Sequence, residues 1–210
     1  MLPGPPTLYQ SLLAHPQLAQ HDLSSLTKAT TGAAVIPTEL IDNIRHRLGI
    51  TTVLTAYGLS ESCGLATMCR HGDASSTIAS TSGRAIPSIE VACLHSDGRH
   101  CAVDEMGEIV IRGFNVMQGY LDNPEATAEA IDSDGWLHTG DIGSLDAEGN
   151  LKITDRLKDM YISGGFNCYP AEIESSLNHH PAIVMSAVIG IDNALMGEVG
   201  AAFIQLLDST

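Results

Sequence analysis

Thr51-Thr52-Val53-Leu54-Thr55-Ala56-Tyr57-Gly58-Leu59-Ser60-Glu61 runs from β-branched and apolar residues into a turn that carries an aromatic ring, a hydroxyl and a carboxylate. The first half reads as a strand around 51–55. The second half holds the parts of a nucleotide site. The Tyr57 ring can stack on a purine face, and Gly58 lets backbone come close. Ser60 can donate to phosphate, and Glu61 can take a hard, oxygen-ligated cation such as Mg²⁺. Alone, the same residues would suit a plain turn with an exposed Ser-Glu.

Just upstream, Pro37 stands at a helix start, Leu40, Ile41, Ile44 and Leu48 recur at helical spacing, and Gly49 follows the last of them. That spacing predicts an amphipathic helix of about three turns. Before it, Thr30-Thr31-Gly32-Ala33-Ala34 is a run of small residues where a flat ligand could lie against the backbone, or simply a strand-to-helix loop. The prolines at 3 to 6 predict an extended entry segment. Downstream, 89–94, 108–112 and 151–154 read as short strands, with a turn at 146–150, so this stretch is rich in hairpins. After it come a strand at 160–163, a helix over 170–178 stopped by Pro181, and strands at 184–189 and 202–207.

The charge pattern places a boundary in this series. The chain carries 10 Lys and Arg against 25 Asp and Glu, a net −15, and every base lies between Lys28 and Lys158. From residue 159 to 210 there are six acids and no base. We therefore expect one domain over 1–158, αβ to about 105 and β-rich over 106–158, and a small α+β domain over 159–210. The net charge disfavours nucleic acid and anionic membrane surfaces as partners. A 44% hydrophobic content excludes disorder as the whole answer. No apolar stretch is long enough for a membrane span and the N-terminus lacks the pattern of a signal peptide, which predicts a cytoplasmic protein. Five cysteines without a Cys-x-x-Cys pair signal neither a disulfide framework nor a zinc knuckle, and the nine scattered histidines read as surface or cap residues.

Three further segments could carry chemistry. Gly135-Trp136-Leu137-His138-Thr139-Gly140-Asp141 ends in a carboxylate that could accept from both hydroxyls of a ribose, or merely close a turn. Asp155-Arg156-Leu157-Lys158-Asp159 puts Arg156 where it could reach the same ribose or a phosphate, or forms a surface charge cluster. Ser163-Gly164-Gly165 with Asn167 reads as a flexible, nest-like segment that could line a narrow channel.

The order and spacing of these segments, with Gly107-Glu108-Ile109-Val110-Ile111-Arg112-Gly113 running on to Gly119-Tyr120, resemble the adenylate-forming superfamily of AMP-dependent synthetases and ligases. Within it the chain looks closest to acyl-CoA synthetases, the fatty-acid and aryl acid–CoA ligases. The resemblance implies a fold that is α/β and α+β: the C-terminal part of the large adenylate-forming domain, followed by a truncated small α+β domain. It implies an ATP-dependent acid–CoA ligase that makes an acyl-adenylate and then a coenzyme A thioester. Gly32, Ala33 and Ala34 would border the adenine and acyl groups, Tyr57 and Gly58 would pack on the adenine, and Ser60 would contact phosphate. Glu61 would hold Mg²⁺, while Asp141, Ile153 and Arg156 would hold the nucleoside. Lys158 would be the hinge about which the small domain turns between half-reactions, and Ser163, Gly164 and Gly165 would line the coenzyme A channel. The small residues after Glu61, Cys63 to Ala66, suit an acyl pocket with no charge to pair an amino group.

Two parts of the family pattern have no match here. The Ser/Thr/Gly-rich phosphate loop does not precede Tyr57, and 159–210 contains no lysine to enter the site during adenylation. The chain is therefore expected to be an internal fragment, inactive alone, with an opened core face that favours oligomerisation. The alternative is a non-catalytic nucleotide- or acyl-binding remnant of such an enzyme.

Overall fold

The computed structural model describes residues 1–32 and 36–207. It divides into two compact units, Met1–Thr139 with Ser144–Lys152, and Gly140–Gly143 with Ile153–Thr210.

The first unit opens with a five-stranded sheet in the order β1 (Leu2–Pro3), β2 (Lys28–Thr31), β3 (Thr52–Tyr57), β4 (Thr67–Met68), β5 (Arg84–Ala85). The first three strands are parallel, with Thr31 opposite Thr55, and the last two are antiparallel. Helices α1 (Pro6–Ala14), α2 (Thr38–Arg47) and α3 (Ser75–Ser80) belong to the same region. The extended entry expected through residue 6 is shorter than read. Pro6 starts α1, where a first-turn residue has no helical partner for the N–H that proline lacks. Its Tyr9 is fully buried and donates its hydroxyl to the carbonyls of Leu2 (2.6 Å) and Thr30 (3.1 Å), tying the helix to β1 and β2. The α2 periodicity holds: Leu40, Ile41 and Ile44 are its buried face, with Glu39 in the first turn and Arg45, His46 and Arg47 in the last, matching the helix dipole.

A four-stranded sheet follows, in the order β6 (Ile89–Leu94), β7 (Gly107–Gly113), β8 (Leu137–Leu145), β9 (Leu151–Arg156). The β6–β7 ladder runs antiparallel from Ile89 opposite Gly113 to Leu94 opposite Glu108. Before β8 lies α4 (Pro124–Ala130), which the sequence reading did not mark. Its signal was present: Asn123 caps it through Oδ1, accepting from the Ala126 N–H at 3.0 Å, and Pro124 opens it. The segment ending at Asp141 is also not a terminal turn. It is most of β8, and Gly140 at φ +71° sits inside the strand in a conformation that L side chains resist.

The second unit carries a four-stranded antiparallel sheet in the order β11 (Phe166–Cys168), β10 (Tyr161–Ser163), β13 (Gly197–Leu206), β12 (Ile183–Asn193), with α5 (Pro170–Asn178) packed against β12. Both long strands exceed the expected ones. Asn193 Oδ1 accepts from the Leu195 and Met196 N–H groups (2.9 and 3.0 Å), forming a tight loop from which β13 starts at Gly197. Glycine and alanine between 197 and 202 hide that part of the strand from a β-branched pattern. No helix among the described residues is long and apolar enough to cross a membrane.

Candidate nucleotide-binding site

The expected site residues fall into two sets, one in each unit. In the first unit, β2 and β3 end side by side, so Gly32 and Tyr57 lie at the carboxyl edge of a parallel pair, where open α/β sheets hold ligands. A side chain at Gly32 would press on the Ala56 carbonyl, whose oxygen would stand 3.3 Å from a Cβ there. Thr31 beside it is 6% exposed, and its Oγ1 has no hydrogen-bond partner among the described residues. Ala33 and Ala34 lie outside the described residues.

After Tyr57 the chain closes a 3₁₀ turn over Ser60–Ser62. Leu59 N–H donates to Ser62 Oγ (3.1 Å), whose hydroxyl returns to the Leu59 carbonyl (3.0 Å). Buried Asn115 braces the loop, donating to the carbonyls of Ser62 (3.2 Å) and Leu65 (2.8 Å). Gly58 has no side chain because the chain itself fills that space: a Cβ there would meet the Gly64 carbonyl carbon at 2.5 Å and the Leu65 nitrogen. Ser60 is exposed on this turn and Glu61 half-buried.

Glu61 is held on two sides. Its carbonyl accepts from the Met117 N–H at 2.7 Å, and its Oε1 accepts from the Tyr120 hydroxyl at 2.9 Å. That hydrogen bond raises the Tyr120 pKa, so the phenol stays protonated as a donor. Tyr120 is the functional candidate that sequence reading missed. It stood in the Gly119-Tyr120 motif, but a partner 59 residues away is invisible in one dimension. Beside Tyr120 is an open cleft of about 520 Å³, bounded also by Gly119, Asn123 and Thr127.

In the second unit, Asp141 and Arg156 meet: Arg156 Nε lies 3.3 Å from Asp141 Oδ1, with the arginine side chain 74% exposed and the aspartate 14%. The Leu157 N–H donates to the Gly140 carbonyl (2.8 Å), holding the two segments together at this point. Ile153 is 38% exposed on β9. Asp155 is structural, its Oδ2 accepting from the Ala171 N–H (2.9 Å) at the start of α5. Lys158 is exposed in the turn that follows β9. Gly164 and Gly165, at φ +57° and +88°, form the two-residue turn joining β10 to β11, with Ser163 opposite Phe166. Two positive φ values are what a tight hairpin of this hand requires, so this segment is a defined turn rather than a flexible one.

A model of the AMP-binding enzyme family matches residues 1–121. The chain belongs to that family. It is 53% identical over 204 residues to the 3-[(3aS,4S,7aS)-7a-methyl-1,5-dioxo-octahydro-1H-inden-4-yl]propanoyl:CoA ligase of Mycobacterium tuberculosis, with 97% of this chain and 38% of that protein covered. Among solved structures, o-succinylbenzoate CoA synthetase (MenE) from Bacillus subtilis, in complex with the acyl-adenylate intermediate OSB-AMP, superposes with TM-score 0.84 at 32% identity. All of this chain and 42% of that one are covered. The amide bond synthetase McbA from Marinactinospora thermotolerans matches with TM-score 0.84 at 30% identity, over 99% of this chain and 42% of its own. The chain thus spans about two-fifths of the length of the proteins it matches.

Proposed function

We propose that the 210 residues are part of an ATP-dependent acid–CoA ligase. In the first half-reaction a carboxylate oxygen attacks the α-phosphorus of ATP, forming an acyl-adenylate and releasing pyrophosphate. In the second the coenzyme A thiol attacks the acyl carbon, forming the thioester and releasing AMP. The observation that carries this reading is the ordered set of segments from Tyr57 to Gly165, in a chain 53% identical to a protein named as a CoA ligase.

Tyr57 stacks on adenine with Gly32, Ala33 and Ala34 at its edge, Gly58 keeps the turn close, and Ser60 donates to phosphate. Asp141 accepts from the ribose hydroxyls, while Arg156, already aligned on Asp141, contacts the ribose from the other side. Ile153 packs near the nucleoside. Glu61 fits a hard cation, since it offers a carboxylate oriented by Tyr120, and one or two carboxylates beside substrate phosphates are the usual protein share of a Mg²⁺ site. When bound, Mg²⁺ would neutralise charge on the phosphates, which the net −15 of these 210 residues does not favour. Lys158 serves as the hinge between a domain over 1–158 and one over 159–210, and Ser163, Gly164 and Gly165 border the coenzyme A channel. The acid is an aliphatic or alicyclic one, matching the small, uncharged run from Cys63 to Ala66 and the ring-bearing propanoyl group in the name of the Mycobacterium relative.

Calorimetric titration of the chain with AMP and Mg²⁺, beside Asp141→Ala, tests the residue assignments. Saturable binding that the substitution abolishes supports them. A folded chain that does not bind AMP overturns them and favours a non-catalytic remnant. The chain alone is expected to release no pyrophosphate from ATP, because the electrostatic contributions of a phosphate loop and an entering lysine are worth several kcal/mol of barrier.

A further inference from the structure

The hairpin that leaves β6 gathers three side chains that the nucleotide site does not use. His95 N–H donates to the Arg99 carbonyl (2.9 Å), and Cys101 N–H donates to the Cys93 carbonyl (2.8 Å), so the chain returns antiparallel along the end of β6. A second turn follows at once, with the Glu105 N–H on the Ala102 carbonyl (3.1 Å) and the Ala102 N–H on Glu105 Oε2 (2.7 Å). These two turns fold Glu105 back over the hairpin. One donor atom each from His95, Cys101 and Glu105 then lie within 4.8 Å of one another, and all three residues are half-buried.

Two observations set this group apart from a surface ion pair. His95 Nε2 lies 2.9 Å from Glu105 Oε1, yet it is shielded from solvent and makes no aligned hydrogen bond among the described residues. The sulfur is also seated by an absence: a Cβ at Gly107 would stand 2.5 Å from Cys101 Sγ.

We propose that His95, Cys101 and Glu105 bind a zinc-type divalent cation. An imidazole nitrogen, a thiolate sulfur and one carboxylate oxygen favour Zn²⁺ over Mg²⁺ or Ca²⁺, which take oxygen ligands. Metal–ligand lengths of about 2.0–2.3 Å put the donors of a tetrahedral site roughly 3.3–3.8 Å apart, so side-chain adjustment suffices. On binding, the Cys101 S–H proton goes to solvent, the sulfur bonds the metal, and His95 ligates as neutral imidazole through Nε2. Three protein ligands leave the fourth position to water. Arg99, whose Nη1 is 3.9 Å from Glu105 Oε2, is the cation the metal would displace. Cys93, 4% exposed within the core cluster of Ile109 and Leu151, is excluded from the ligand set, whereas Cys101 packs against that cluster only partly buried.

The test is an anaerobic titration of the reduced, tag-free 210-residue chain with Co²⁺. One equivalent should bind with a thiolate-to-cobalt charge-transfer band and the intense visible bands of four-coordinate Co²⁺, and one equivalent of Zn²⁺ should erase both. Cys101→Ser should remove the charge-transfer band, and His95→Gln should weaken binding at least about tenfold. Cys63→Ser and Cys168→Ser should leave the spectrum unchanged. If circular dichroism shows that Cys101→Ser is unfolded, His95→Gln decides. Absence of the band in the parent chain, its survival in folded Cys101→Ser, or unchanged affinity in His95→Gln overturns the site and leaves an ion-pair cluster. None of these outcomes bears on AMP binding.

Discussion

The two units use the same alternation of apolar and polar residues, but only the first closes a core with it. There Tyr9, Ile41, Ile44, Ile50, Val53, Ile109, Val110 and Ile111 are fully buried, and helix and sheet cover one another. In the second unit the buried apolar side chains among the described residues are Ile142, Tyr161, Pro170 and Val188, while Met185, Ile189 and Phe203 stand 50–62% exposed. A four-stranded sheet with one helix covers one face: Ser186 and Val188 turn inward, and their sequence neighbours do not. Charge differs too. With no Lys or Arg after residue 158, two of the acids beyond it are held by backbone N–H groups instead. Glu174 accepts from the Val188 N–H (2.7 Å) and Glu198 from the Ile162 N–H (2.8 Å). Candidate site residues in the second unit therefore have less buried packing behind them than those in the first, and their surroundings should open more cheaply.

The largest test of this contrast is a pair of cavities. Ile109→Ala should cost about 2–5 kcal/mol and Val188→Ala about 1–2 kcal/mol, measured by denaturant unfolding. In native-state hydrogen exchange the β12–β13 amides should open before those of β6–β7. The contrast fails if β12–β13 outlasts β7. Next are two glycines. Gly58→Ala forces the backbone at 64–65 to move and should cost about 1–3 kcal/mol. Gly140→Ala meets nothing within 4 Å and should cost only the left-handed strain of φ +71°, about 1–2 kcal/mol. Equal melting temperatures for the two variants would mean that the first unit's loop yields as easily as the second unit's strand. Smaller still, Arg156→Ala removes a 74%-exposed side chain and should shift stability by no more than about 0.5 kcal/mol while weakening AMP binding.

The legibility of the sequence cut across that division. The α2 stripe and the strands at 51–55, 89–94 and 108–112 were readable because burial on one side imposes a period. In the site, the turn after Tyr57 and the Asp141–Arg156 pair lay in motifs whose order alone is distinctive. What stayed hidden depends on distant partners or on residues without a pattern. Tyr120 reaching Glu61 needs the fold, β13 begins in a Gly/Ala run, and Gly58 serves the close approach of residues 64 and 65. The 95–105 cluster has no motif spacing because two turns, not a helix or strand register, assemble it.

Another small effect is a pH dependence confined to the first unit. His138 Nδ1 lies 2.8 Å from Glu108 Oε2, and its Nε2 is 3.6 Å from Asp132 Oδ2. Burial pulls the imidazole down, but the hydrogen bond and charge of Glu108, with Asp132 behind them, outweigh it, and the pKa is raised above the ordinary histidine value. A folded pKa above the unfolded one means that protonation stabilises the fold. The contribution is complete below the unfolded value of about 6.5 and disappears as pH rises through the higher folded pKa. With the histidine about one-third exposed, the effect should stay below about 1 kcal/mol. Unfolding free energies of the parent chain should fall across that window, and His138→Gln should flatten the fall. Opening free energies of the β12–β13 amides, corrected for intrinsic exchange, should not respond to the substitution. A response there would mean that the two units unfold as one, and the difference between them would then lie in surface alone.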